Sequence, residues 1–413
     1  MSGQDASNQN IAIARNALRR GNVPLAEIIC RSILNETGDS PEAWACLAMV
    51  AIVVGRNDFA LRYLDRALAL QPDYAPAREA HVQLATMPSP PSAPDPSYLL
   101  IKSWGTGFWS DVDHVLGQLL LCQITGRIPV IHWGANCLFG GSERESAFDR
   151  YFLPVSKFTI HDLLNQPEPF YPPKWNAATL LSEDINKAQG PYSRMAALYF
   201  LTRPESVAVA DFYTGVVCVR DWIPPSHPLA GKTVGELYRH LIQTYLKPQP
   251  AIMDEVNAFY QRHLAGHPTI AVHLRGSDKA LEVTNLPEVN SSIENAITSE
   301  LKRDPRTLIF LLTDDENILR KYQQLHGPRL ISTAAHRTST EKGVHYLPIS
   351  DRYQLGKDVM IDTYVATRCD RFLGSGSSNL SALIPYLKAW PVGTCILASA
   401  HFLHRPNKFI HNW

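Results

Sequence analysis

The sequence predicts an α/β protein with an all-α module at its N-terminal end. Three observations predict it: a helical pattern that recurs after about 34 residues, a proline-rich break behind it, and strand and helix patterns that alternate from there to the end. Composition agrees with a folded chain. Of 413 residues 45% are hydrophobic and 19% charged, which excludes wholesale disorder and leaves room for two or three cores. Lys plus Arg equals Asp plus Glu at 39 each, so no net field draws the chain to nucleic acid or an anionic membrane.

The helical module comes first. Trp44, Leu47, Ala48, Ala60, Leu64, Ala67 and Pro72 recur, shifted back by one period, as Asn10, Ile13, Ala14, Ala26, Cys30, Ile33 and Gly38. The small residues fall where paired helices approach closely, and Gly21-Asn22 and Asn57-Asp58 mark the turns within each pair. This pattern resembles tetratricopeptide repeats at 7–74 with a capping helix to residue 86. The resemblance implies a surface for a protein partner, with no chemistry of its own. Residues 87–97 follow as a linker, with five prolines between Pro88 and Pro96, and read as a semi-rigid spacer.

Beyond the spacer, Tyr98–Ser103 reads as a strand, Asp111–Thr125 as a helix and Ile128–His132 as a strand. Residues 134–248, rich in proline and aromatics, give no strand order. Pro250–Leu264 reads as a helix, Thr269–His273 and Leu308–Leu312 as strands, and Glu316–Leu325 and Gln354–Thr367 as helices. Arg371–Leu373, Ser378–Lys388 and Cys395–Ala398 complete the alternation as strand, helix and strand. Parallel sheets covered by helices follow, in two Rossmann-like halves at 98–248 and 249–413 that face a cleft.

Ligands in such sheets bind beyond the C-terminal strand ends, and there the polar residues collect. The strand Thr269–His273 delivers His273, Arg275, Asp278 and Lys279, a cationic cluster suited to phosphate. Leu308–Leu312 runs into Thr313-Asp314-Asp315-Glu316, where Thr313 and Glu316 can form a helix capping box. Asp370–Leu383 holds a Gly-Ser turn entering a helix, with Ser377, Ser378 and Asn379 at the helix's positive end. In the first half, a glycine turn with Gly105, Gly107 and Ser110 precedes Asp111, Asp113 and His114. Asp111-Val-Asp113 looks like a metal–nucleotide D-x-D, but its place in a first helical turn with no third ligand reads as helix-start acids. No zinc, Walker or nucleophile-elbow motif is present.

In this order the segments resemble the fucosyltransferase superfamily of α1,6-fucosyltransferases, rhizobial nodulation fucosyltransferases and protein O-fucosyltransferases. The matching elements are Asp113-His114-Val-Leu-Gly117, His273-Leu-Arg275-Gly-Ser-Asp278-Lys279, Thr313-Asp314-Asp315, and Asp362 followed by Ser377-Ser378-Asn379. The resemblance implies a GT-B fold and inverting transfer from GDP-fucose to a hydroxyl of a glycan or protein, with no metal and no further cofactor. It implies that Arg275 binds the β-phosphate, that Ser377 and Ser378 hold phosphate oxygens, and that His273 and Asp362 contact guanine. Asp314 and Asp315 would organise the cleft. In the α1,6 enzymes a Glu four residues past the motif Lys serves as base. That position here is Val283, and Glu282 beside it is the candidate base. The α1,6 group has a second Arg where this chain has Gly276, and the protein O-fucosyltransferases have Asn where it has Ser110. A repeat adaptor with a degenerate sugar-nucleotide body, or the same chemistry with another GDP-sugar, is the alternative. Scattered cysteines, an N-terminus without a signal-like start, and apolar runs too short to span a bilayer predict a cytoplasmic protein.

Overall fold

A computed structural model describes residues 3–87, 92–183, 198–276, 286–399 and 401–404. Helices α1 (Gly3–Arg19), α2 (Val23–Thr37), α3 (Pro41–Val53), α4 (Asn57–Leu70) and α5 (Ala75–Ala85) open the chain. The turn residues cap them: Asn22 accepts from the Leu25 N–H, and Ser40 accepts from the Ala43 N–H with Pro41 behind it. Ala14, Ala26, Ala48 and Ala60 have no exposed surface, so the helices pack through their small residues.

This module does not stand apart from the rest. Its hydrophobic core takes in Leu198 and Trp222, both from far beyond the proline-rich segment. Trp222 is fully buried, its Nε1 donates to Glu27 at 2.9 Å, and its ring lies 5.4 Å from Phe59. Glu27 is also buried and pairs with Arg31, which reaches Asp221. Thr202 donates to the Val54 carbonyl at 2.8 Å. An indole in the centre of the contact, ringed by charge-assisted bonds, couples helices and body as one packed unit.

In the first half, β1 (Tyr98–Lys102), β2 (Ile128–His132) and β3 (Val207–Ala210) form a parallel sheet in the order β2-β1-β3. β3 lies in the stretch that gave no strand order. Helix α6 (Phe108–Thr125) begins three residues earlier than its apolar pattern suggests. In the second half, β4 (Thr269–His273), β5 (Leu308–Leu312), β6 (Leu330–Ile331), β7 (Arg371–Gly374) and β8 (Cys395–Leu397) form a parallel sheet in the order β6-β5-β4-β7-β8. Continuous apolar runs place β4 and β5 at its centre, paired from Thr269 with Leu308 to His273 with Leu312.

Helices α7 (Val234–Tyr245), α8 (Pro250–His263), α9 (Leu286–Arg303), α10 (Glu316–His326), α11 (Arg352–Arg368) and α12 (Asn379–Leu387) cover the sheets. One core runs through both halves. Across the seam Tyr238 of α7 stacks on Tyr386 of α12 at 5.2 Å, Trp109 Nε1 donates to Thr363 at 2.9 Å, and Tyr151 donates to the Tyr353 carbonyl at 3.1 Å. The C-terminal ends of β1 and β4 therefore face one cleft. No described helix is long and apolar enough to cross a membrane.

Candidate functional site

The cleft is an open groove whose empty space, counting the solvent at its mouth, comes to about 970 Å³. From the sequence candidates it gathers His273, Arg275, Asp314, Asp362, Ser378 and Asn379 on one side and Gly107 and Ser110 on the other.

The last turn of β4 and the end of β5 build its cationic wall. Arg275 Nη1 lies 2.5 Å from Asp314 Oδ2, both side chains mostly buried, so the guanidinium is held in one place. The other Asp314 oxygen accepts from the Gly276 N–H at 3.4 Å. Asp315 has a different task. It caps α10, accepting from Asn317 N and Ile318 N, and Thr313 Oγ1 accepts from the Asp315 N–H. The expected Thr313–Glu316 capping box is therefore replaced by an Asp315 cap, because Asp315 takes the N-cap position and Glu316 begins the helix. Asp315 also explains Gly276: a Cβ there would collide with the Asp315 carboxylate, leaving no space for an Arg.

His273 is 4% exposed, and its Nδ1 shares a hydrogen with Ser381 Oγ at 2.6 Å. Burial, with Arg275 beside it, pushes its pKa down to about 3, so the imidazole is neutral at physiological pH. Asp362 lies on the cleft face of α11 and accepts from Thr333 Oγ1 at 2.6 Å. Burial raises its pKa to about 7, so the carboxyl is poised to ionise when a ligand offers hydrogen-bond donors.

At the start of α12, Ser378 occupies the N-cap position without a side-chain cap bond, and the Asn379 side-chain oxygen is buried without a partner. With Arg275 on the same wall of the cleft, this helix terminus presents backbone N–H groups and a hydroxyl to an anion. Ser377 does not reach the cleft; it bonds Ser375 within the turn at 2.6 Å.

The glycine turn behaves differently from expectation. The N–H groups of Trp104, Gly105 and Thr106 and the Thr106 hydroxyl all donate to Asp111. The turn thus wraps the chain's own carboxylate and presents only Gly107–Ser110 to the cleft. Asp113 and His114, on α6 itself, are fully buried, with Asp113 accepting from Tyr213 at 2.8 Å and Tyr238 at 2.5 Å. Gly105, Asp113 and His114 support the wall without lining it. Asp278, Lys279 and Glu282 lie outside the described residues.

The sequence reading missed His336 and Asp358. Both line the cleft, and they are joined at 2.7 Å from Nδ1 to Oδ2. Asp358 stands four residues before Asp362 on α11, a spacing that was available as a signal once Asp362 was singled out. Among the described residues no group of three or more His, Cys, Asp or Glu side chains converges as a metal site.

The parallel-sheet α/β body thus carries a cleft with a cationic, helix-terminus end and a carboxylate end. No protein-family model matches the chain, and no curated protein does. Several solved structures are similar. A NodZ α-1,6-fucosyltransferase co-crystallized with GDP shares 20% identity over 71% of this chain and 92% of that one, with a TM-score of 0.49. POFUT1 in complex with GDP shares 15% over 74% and 99%, at 0.45. A mutant of Arabidopsis thaliana FUT1 in complex with GDP shares 12% over 80% and 77%, at 0.44.

Proposed function

We propose that this chain is an inverting, metal-independent GT-B glycosyltransferase that moves fucose from GDP-fucose to a hydroxyl of a glycan or protein. The observation that carries the reading is the anion end of the cleft, which Arg275, fixed by Asp314, lines together with Ser378 at the N-terminus of α12. Diphosphate is a leaving group that gains charge as the glycosidic bond breaks, and a held guanidinium plus helix N–H groups stabilise that charge without reorganising.

The acceptor oxygen attacks the sugar's anomeric carbon from the face opposite the phosphate. The bond to the β-phosphate oxygen breaks with its electron pair going to that oxygen, where Arg275 and Ser378 receive it. Ionised Asp362 accepts the guanine N–H donors, and neutral His273 lines the same cleft. A neutral hydroxyl needs a base to take its proton, and Glu282 is the proposed one, assisted by the segment that carries Asp278 and Lys279. The helices of the N-terminal module, read as tetratricopeptide repeats, recruit the acceptor or its carrier in the cytoplasm. Because Trp222 locks them to the first half, they hold that partner at a fixed offset from the cleft.

The test is mass spectrometry of a glycan and peptide panel incubated with the full chain and GDP-fucose, with GDP-mannose as a parallel donor. A gain of one deoxyhexose is the expected product. A gain of hexose would move the assignment to another GDP-sugar, and GDP binding with neither transfer nor hydrolysis would replace it with the adaptor reading.

A further inference from the structure

Loop 333–338 joins two parts of the cleft that differ in charge. At one end Thr333 Oγ1 donates to the Asp362 carboxylate at 2.6 Å. At the other the Thr338 N–H donates to the Asp314 carbonyl at 2.9 Å, and the Glu316 N–H donates to the Thr338 carbonyl at 2.9 Å. The side chain of that same Asp314 holds Arg275. The loop therefore bridges the carboxylate end of the cleft and its cationic end. His336 stands between them, three residues from Thr333 and two from Thr338. Peptide geometry limits those spans to about 10 Å and about 7 Å. A nucleoside diphosphate has the same order: base, sugar, phosphates. With guanine at Asp362 and the phosphates at Arg275, the residue between them stands beside the ribose.

His336 is held in one orientation there. Its backbone N–H, at 3.1 Å, and its ring Nδ1, at 2.7 Å, both meet Asp358 Oδ2. Gln354 Nε2 donates to the other Asp358 oxygen at 2.7 Å. Arg337 donates to the Thr333 and Ala335 carbonyls and stiffens the loop from within. An ionised carboxylate only accepts, so Nδ1 carries the hydrogen that it shares with Asp358. Both residues line the cleft, the His336 side chain is 41% exposed, and no described residue meets its Nε2. Nε2 is a lone-pair acceptor on the neutral ring and an N–H donor on the charged one. A hydroxyl suits both states, because its hydrogen donates and its oxygen accepts. A keto oxygen or an amino group suits only one.

We propose that His336, positioned by Asp358, binds a ribose hydroxyl of the nucleotide donor and is a specificity-determining residue for ribose over deoxyribose. This inference rests on the nucleotide reading of the cleft and gives it a sugar contact that none of the sequence motifs contains. The neutral ring accepts the hydroxyl hydrogen at Nε2, and the charged ring donates to the hydroxyl oxygen. A deoxyribose puts a C–H at that position, which offers Nε2 neither partner.

Isothermal calorimetry of GDP, 2′-deoxy-GDP and 3′-deoxy-GDP with the full-length wild type, H336A and D358N tests this. The wild type binds GDP about three- to tenfold more tightly than at least one of the deoxy analogues, the scale of one net hydrogen bond. H336A weakens GDP by a similar factor and leaves that analogue as it was, so the discrimination collapses. D358N, which sets an amide in place of the carboxylate, keeps only part of it. A general change of structure would weaken all three ligands alike and leave the ratio standing. Equal binding of GDP and both analogues by the wild type overturns the proposal whatever the variants do, as does discrimination of undiminished size in H336A. Undiminished discrimination in D358N overturns the positioning role of Asp358. A wild type that binds none of the three overturns the nucleotide reading itself, whereas GDP binding without preference over either analogue overturns only the role of His336.

Discussion

Two turns of this protein carry nearly the same sequence signature and do opposite things. Each follows a parallel strand, contains glycine and small hydroxyl residues, and enters a helix at the cleft. After β1 the N–H groups of Trp104, Gly105 and Thr106 converge on Asp111, an internal anion four positions into α6. After β7 the Ser378 hydroxyl makes no cap bond, the Asn379 side-chain oxygen is unpartnered, and Arg275 lines the same wall of the cleft. A glycine-serine turn is thus a template for an anion, and the helix that follows decides whether the anion is its own carboxylate or a ligand.

Substitutions can break that comparison. The largest effect is expected at the ligand-facing turn's partner: Arg275→Ala lowers transfer by about 10³-fold or more with the fold retained, because the leaving diphosphate loses its fixed cation. Circular dichroism and turnover on one preparation check it, and near-wild-type turnover contradicts the phosphate role. Ser378→Ala comes next, weakening GDP by about tenfold with little change in melting temperature. Asp111→Ala should show the reverse profile. It leaves several N–H groups without their acceptor and lowers stability by about 2 kcal/mol, while GDP affinity changes little if the loop refolds to place Gly107–Ser110. A large loss of GDP affinity with unchanged stability would make the β1 turn a ligand site as well.

Asp362 sharpens the account through pH. Its folded pKa, about 7, lies above its ordinary value of 3.8. The native state therefore holds an extra proton between those values. Stability from this group is present at low pH and is lost as pH rises through 7. Asp362→Asn should remove this dependence and raise the melting temperature of the unliganded protein at pH 8. Guanine donors need the ionised form, so GDP affinity in the wild type rises from pH 5.5 to 8, and the Asn variant flattens that rise. The smallest effect is at Gly276→Ala, where the new methyl would displace Asp315 from its cap; a loss of about 1 kcal/mol in urea unfolding is expected.

Much of this was legible in the sequence where local pattern and position coincide. β4 and β5 are unbroken apolar runs bounded by breakers, and Arg275, Asp314 and Ser378 stand at or beside strand ends that any parallel sheet turns toward its ligand, whereas Asp362, inside α11, is marked only by the family resemblance. What escaped has a physical reason. β3 is four residues long within a proline- and aromatic-rich stretch, so its alternation carries no signal of its own. His336 lies in a loop without period, and it becomes meaningful only when α11 brings Asp358 against it. Trp222 joins the helical module from 195 positions beyond its partner Glu27, a contact no local pattern announces. The two acids after β5 looked equivalent, yet backbone geometry sends one to Arg275 and the other to a helix cap.

The central claim is that Arg275, fixed by Asp314 on the cleft wall it shares with the α12 terminus, binds the phosphates of a GDP-sugar. Titration of GDP-fucose into the full chain and into Arg275→Ala, followed by calorimetry, tests it most directly. Saturable binding at one site in the wild type, weakened by a hundredfold or more (about 3 kcal/mol) in the variant, is predicted. No binding in the wild type, or equal affinity in the two proteins, would contradict it.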